Sequence, residues 1–90
     1  MSEDLKAKFE QAVKDVTQLS EAPDAQTKLR LYGLYKQATE GDCKGSRPGM
    51  MDFVGRAKYD TWKALEGTSQ EQAMQSYIAL VEELKSQDKK

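Results

Sequence analysis

The 90-residue chain contains no histidine, and Cys43 is its single cysteine. Without histidine it has neither the commonest general base nor the commonest zinc ligand. Cys43 cannot close an internal disulfide or build a cysteine metal cluster, and no imidazole is present to activate it as a nucleophile. Serine–histidine catalysis is excluded on the same ground. Proline is confined to Pro23 and Pro48, and Ile78 is the only isoleucine. No stretch alternates apolar and polar residues with β-branched enrichment, so no strand is predicted. No hydrophobic run approaches the roughly 18 residues of a membrane span. Met1–Glu10 carries Glu3, Asp4, Lys6, Lys8 and Glu10 in place of the apolar segment of a signal peptide. These absences predict a soluble cytoplasmic protein that is not an enzyme and needs no metal or cofactor.

What is present reads as one domain over residues 1–90, with 38% hydrophobic and 32% charged residues and a core that must be thin. Leu5, Phe9, Ala12, Val13, Val16 and Leu19 recur at spacings of three and four, which predicts an amphipathic helix from Glu3 to Leu19. Pro23 ends it, and Asp24 is placed to cap a second helix through Leu29, Leu31, Tyr32, Leu34, Tyr35 and Ala38, which Gly41 stops. The apolar arc of that second helix is wide, so it must meet more than one neighbour, or a neighbour and a ligand. Gly41–Met51 reads as a loop of about 11 residues, a length that is often functional or braced by its own contacts. A shorter helix follows from Asp52 or Phe53 to Leu65, closed by Gly67. Thr68 with Glu71, or Ser69 with Gln72, forms a capping box for a last helix carrying Ala73, Met74, Tyr77, Val81 and Leu84 to about Lys85. Ser86–Lys90 is a polar tail expected to fray. The fold class is all-α, with four helices.

The net charge of −1 conceals a partition. Lys28–Lys63 holds eight cations against four carboxylates, while the rest of the chain is acidic. A cationic middle on an acidic chain suits a compact anionic partner, because the local field steers a ligand. Nucleic acid is not expected, since its usual footprint is a strongly basic domain.

The run Tyr32-Gly33-Leu34-Tyr35-Lys36 concentrates the chemistry. Tyr32 and Lys36 are four apart and share a helical face, with Tyr35 one turn from Tyr32. Rings for stacking, a hydroxyl and a fixed cation on one face would suit an adenine nucleotide and its phosphate. Tyrosines at a core edge beside a solvated lysine would give the same pattern.

Taken in order, Tyr32-x-x-Tyr35-Lys36-Gln37-Ala38-Thr39-x-Gly41-Asp42, Arg47-Pro48-Gly49-Met50, Ala57-Lys58-Tyr59-Asp60-x-Trp62 and Gly67-Thr68-Ser69-x-Glu71-x-Ala73 with Tyr77 strongly resemble the acyl-CoA-binding protein family. The resemblance spans nearly the whole chain. It implies a four-helix, up-down-down-up bundle that binds long-chain acyl-CoA esters in a bowl-like cavity. It also implies a ligand-binding set of Tyr32, Gly33, Leu34, Tyr35, Lys36, Lys58 and Tyr77. In that set Tyr32 and Lys36 meet the adenine and the ribose 3′-phosphate, Lys58 reaches the same phosphate, and Tyr35 and Tyr77 line the pocket. Phe9, Val13, Val16, Tyr77, Val81 and Leu84 match positions where the family packs the first helix on the last, and for all but Tyr77 core packing is the reading.

Three positions depart from the family pattern: Tyr59 stands where many relatives have tryptophan, and Thr17 and Val54 stand where many have lysine. The function implied is non-catalytic binding, buffering and transport of fatty-acyl-CoA by a monomer, with transient contacts to acyl-CoA-using enzymes or membranes. The alternative is a helical protein-interaction module that has kept the fold and lost the ligand.

Overall fold

The computed structural model describes residues 3–88, in which α1 (Glu3–Val16), α2 (Ala25–Glu40), α3 (Phe53–Lys63) and α4 (Gln70–Gln87) are the regular elements. No strand occurs among the described residues. α1 opens with Glu3 and Asp4 and closes with Lys14, charges that oppose the helix dipole at each end. It ends three residues before Leu19. Thr17 and Gln18 donate their amides to Lys14 and Asp15 in tightened turns, and the Thr17 hydroxyl also donates to the Lys14 carbonyl (2.7 Å). A hydroxyl that occupies the last turn's carbonyl competes with continuation of the helix.

Asp24 caps α2 by accepting from the Thr27 amide (2.8 Å), and Gly41 stops the helix at a φ of 82°, a conformation that favours glycine. The Thr27 contacts hold the Asp24 carboxyl below the usual aspartate range. Ser69 caps α4 by accepting from the Gln72 amide (3.0 Å). α3 stops at Lys63, and Leu65 and Glu66 continue only as turns onto Trp62 and Lys63. At the other end α4 runs to Gln87, so Ser86 and Gln87 are helical where a frayed tail was expected. Both Asp88 carboxylate oxygens accept from the Ser20 amide (3.2 and 3.1 Å), tying the end of α4 to the α1–α2 connection. Lys89 and Lys90 lie outside the described residues.

α4 is the common support. It packs against α1 and α2, α2 also packs against α3, and α1 and α2 make no close backbone approach to each other. The core comprises Phe9, Ala12, Leu31, Leu34, Ala38, Ala73, Met74, Tyr77 and Val81, flanked by Leu5, Val13, Val16, Leu65, Ile78, Leu80 and Leu84. Two helices resting on a third with their backbones held apart leave a space between them, and side chains must close its floor.

The long connection between α2 and α3 is braced along its length. Trp62 donates its indole N–H to the Gly41 carbonyl (2.8 Å), and the Tyr59 hydroxyl donates to the Gly45 carbonyl (3.2 Å). Arg47 grips Asp60 through two bonds (3.0 and 2.8 Å). At the end of α2, Gln37 is wholly buried and its Nε2 donates to Asp42 (2.9 Å) and to the Thr68 carbonyl (2.7 Å). The same Asp42 oxygen accepts from the Gly67 amide (3.0 Å). One amide thereby fastens α2 to the start of its loop and to the α3–α4 turn.

Candidate ligand site

The space between α1 and α2 is a hollow of ≈ 460 Å³ lined by Val16, Thr17, Ala22, Pro23, Lys28, Leu31, Tyr32, Tyr35 and Tyr77. Its volume falls within the roughly 300–1,000 Å³ typical of small-molecule sites. Three aromatic rings organise it. Phe9 of α1 meets Tyr77 of α4 edge-on at 5.1 Å and lies near-parallel to Tyr35 of α2 at 5.9 Å. Tyr35 and Tyr77 stand 6.5 Å apart. Offset and edge-on contacts of this kind are the favoured geometries for aromatic pairs. They bridge the two helices, whose backbones make no close approach. Burial, then the neighbouring Tyr35, pushes the Tyr77 phenol above its ordinary pKa, so it stays neutral.

The rim is cationic. Lys58 of α3 places its ammonium 5.4 Å from the centre of the Tyr32 ring, a cation–π arrangement. Lys58 forms no ion pair among the described residues. Lys36, one turn beyond Tyr32, pairs with Glu40 and sits 5.0 Å from the centre of the Trp62 ring. The bond to Glu40 is the main cause of a Lys36 pKa above the ordinary lysine value, so the ammonium is retained at neutral pH.

The structure therefore brings Tyr32, Tyr35 and Tyr77 to one hollow, with Lys58 above Tyr32 and Lys36 a turn away. Gly33 and Leu34 lie elsewhere. A Cβ at Gly33 would stand 2.8 Å from Thr61 Cγ2 and 3.2 Å from the Thr61 carbonyl, so glycine there lets α3 approach α2. Leu34 lines a separate hollow of ≈ 560 Å³ with Arg30, Asp60, Thr61, Ala64, Leu65 and Ser76. Lys28, in the first turn of α2, is a wall residue that sequence reasoning missed. Its spacing of four from Tyr32 was the available signal. No group of three or more potential metal ligands occurs among the described residues. No helix among them is long and apolar enough to cross a membrane.

Four helices with an apolar hollow between α1 and α2, an aromatic floor at Tyr77 and cations beside it define a small all-α binding domain. Residues 6–81 match the family described as acyl CoA binding protein, and the chain belongs to that family. The chain is 50% identical over 80 residues to "Acyl-CoA-binding domain-containing protein 6" of Arabidopsis thaliana, covering 89% of this chain and 87% of that protein. It is equally identical over 78 residues to "Enoyl-CoA delta isomerase 2" of Rattus norvegicus, spanning 87% of this chain and only 20% of that longer protein. Among solved structures, the crystal structure of Oryza sativa Acyl-CoA-Binding Protein 2 superposes with a TM-score of 0.89 at 42% identity, covering 93% of this chain and 91% of that one. The all-α fold is thus that of the acyl-CoA-binding proteins.

Proposed function

We propose that this chain, as a single domain over residues 1–90, binds and carries fatty-acyl-CoA esters without acting on them. One observation supports this most: the hollow between α1 and α2 joins an apolar floor at Tyr77 to the Tyr32–Lys58 rim. Acyl-CoA is itself divided this way, into a hydrocarbon tail and an anionic, phosphate-bearing head.

Burying the tail contributes about 0.8 kcal/mol per methylene, so some 14 methylenes supply a gross ~11 kcal/mol. Association consumes roughly 4–15 kcal/mol of such a gain, so apolar burial by itself is marginal. The cations decide the balance. Lys58 and Lys36 supply charge-assisted hydrogen bonds to phosphate, and these also favour CoA esters over free fatty acids. Lys28 adds a cation at the wall of the same hollow that has Thr17 in place of the family's lysine. No nucleophile–base pair accompanies these groups among the described residues, in keeping with a thioester that is held and not cleaved. Delivery to acyl-CoA-using enzymes from a cytoplasmic monomer completes the reading. The relatives lend no support to a module that has lost its ligand.

Titration calorimetry with palmitoyl-CoA, palmitate and unesterified CoA tests it. The ester binds far more tightly than either half, and affinity climbs about fourfold per added methylene until the hollow fills. Equal affinity for palmitate and palmitoyl-CoA, or a flat chain-length series, overturns the assignment.

A further inference from the structure

A second gap lies on the other side of α2. That helix packs against both α3 and α4, yet α3 and α4 make no close backbone approach to each other among the described residues. α2 therefore supports the space between them, as α4 does between α1 and α2. The hollow left there measures ≈ 560 Å³, larger than the first and within the range of small-molecule sites. No wall residue is common to the two hollows.

The buried Leu34 and the half-buried Leu65 give this second hollow an apolar surface, which Ala64 continues. The Thr61 hydroxyl, on the same wall, donates to the Ala57 carbonyl (2.8 Å). Two charged groups also line the space, and their states differ. Both Asp60 oxygens accept from Arg47 (3.0 and 2.8 Å), so its charge is compensated and its acceptors are engaged. Arg30 forms no ion pair among the described residues. An ammonium-bearing molecule finds no open carboxylate here, whereas an anion finds an uncompensated guanidinium. The planar fork of arginine matches a carboxylate through two parallel bonds. Ser76 of α4 adds a hydroxyl that can donate to the same group. One guanidinium suits one carboxylate. The several phosphates of a CoA head need the cations gathered about the first hollow.

We propose that the α3–α4 hollow is a second ligand site, which takes an amphipathic monocarboxylate such as a medium-chain fatty acid. Arg30 pairs with the carboxylate, Ser76 donates to it, and the chain lies along Leu34, Ala64 and Leu65. Leu34, placed in the ligand-binding set by the family resemblance, thereby serves a different ligand from the one its neighbours Tyr32 and Tyr35 face. The assignment does not rest on the acyl-CoA reading, because it uses none of the residues of the first hollow.

Titration of decanoate, below its micellar concentration, into isotope-labelled protein tests the proposal. Resonances of Leu34, Thr61, Ala64, Leu65 and Ser76 shift, while those of Tyr32, Tyr35 and Tyr77 stay still. From hexanoate to decanoate the affinity rises with each methylene, by up to about fourfold per step. Decylamine, of equal length and opposite charge, leaves the site unmoved. Arg30→Gln weakens decanoate binding at least about fivefold. Ala64→Trp, which fills the hollow, abolishes it. Arg30 and Ala64 are both exposed, so the two variants keep the melting temperature and the palmitoyl-CoA affinity of the intact protein. Loss of this site is thus distinguishable from loss of the fold or of the first site. The proposal falls if decanoate leaves every resonance unmoved, or if its shifts centre on the three tyrosines, which would return the fatty chain to the first hollow. It falls equally if decylamine shifts the same residues, or if the Arg30→Gln variant binds decanoate as the intact protein does.

Discussion

The two faces of α2 have opposite characters, although their residues alternate along one helix. Gly33, Leu34, Gln37 and Ala38 are all buried against α3, α4 and the α3–α4 turn, although Leu34 also borders the ≈ 560 Å³ hollow on that side. Lys28, Tyr32 and Tyr35 line the hollow, Lys36 lies one turn beyond Tyr32 between Glu40 and the Trp62 ring, and all four keep part of their surface in water. Both faces contain polar groups. On the closed face the Gln37 side-chain nitrogen is spent on Asp42 and Thr68, and on the open face the Tyr32 ring carries the ammonium of Lys58 from α3, which forms no ion pair among the described residues. A polar group whose partners lie within the fold stabilises the fold, while one left facing a cavity is available to a ligand. The distinction follows from partners and not from residue type.

The largest effect belongs to the closed face. Gln37→Ala removes two buried hydrogen bonds and opens a cavity, costing about 2–4 kcal/mol of stability. Chemical denaturation checks this, and the chain-length dependence of acyl-CoA binding in the folded fraction stays as it was. A variant as stable as the intact protein would erase the contrast between the faces. Lys58→Ala is the reciprocal case and the next in size. It weakens palmitoyl-CoA binding about tenfold, since one charge-assisted contact is lost, and leaves thermal melting unchanged. A large drop in melting temperature would instead make Lys58 part of the scaffold.

The smallest effect is with acid. The Gly67 amide, and secondarily the Gln37 amide, hold the Asp42 carboxyl below the usual aspartate range. A depressed carboxyl contributes stability in full above its unfolded value, about pH 4, and loses it as pH falls through the lower folded value. Melting temperature therefore declines below about pH 4, and Asp42→Asn, which keeps the acceptor oxygen, flattens that decline. An unchanged acid profile in the variant would show that Asp42 does not anchor the closed face.

Much of the fold was legible because helical periodicity and capping act locally: Asp24, Gly41 and Ser69 each perform at the position their residue type suggests. The misjudged ends depended on other things. α1 stops early where the Thr17 and Gln18 amides turn back onto Lys14 and Asp15, and α4 runs on to Gln87 where its C-cap Asp88 meets Ser20, 68 positions away in sequence. A contact of that separation leaves no trace in local pattern. The site was legible in part. The Tyr32, Tyr35 and Tyr77 positions, which line the candidate hollow, came with the family resemblance, but residues in the same motifs divide between its wall and the scaffold in a way spacing cannot show. Gln37, Arg47, Asp60 and Trp62 fasten the loop, and Gly33 and Leu34 serve the helix contacts. Lys28 went unnoticed because a lysine on a broad apolar arc looks solvated until the neighbouring helix stands away from it.

Titrating palmitoyl-CoA into isotope-labelled protein and following amide and side-chain resonances bears on the two faces most directly. If the hollow between α1 and α2 is the binding site, the shifts centre on Val16, Lys28, Leu31, Tyr32, Tyr35 and Tyr77, with Lys58 moving and Leu34, Thr61 and Leu65 nearly still. Shifts centred on Leu34, Thr61, Ala64 and Leu65, with the three tyrosines unmoved, would place the ligand on the other side of α2 and contradict the assignment.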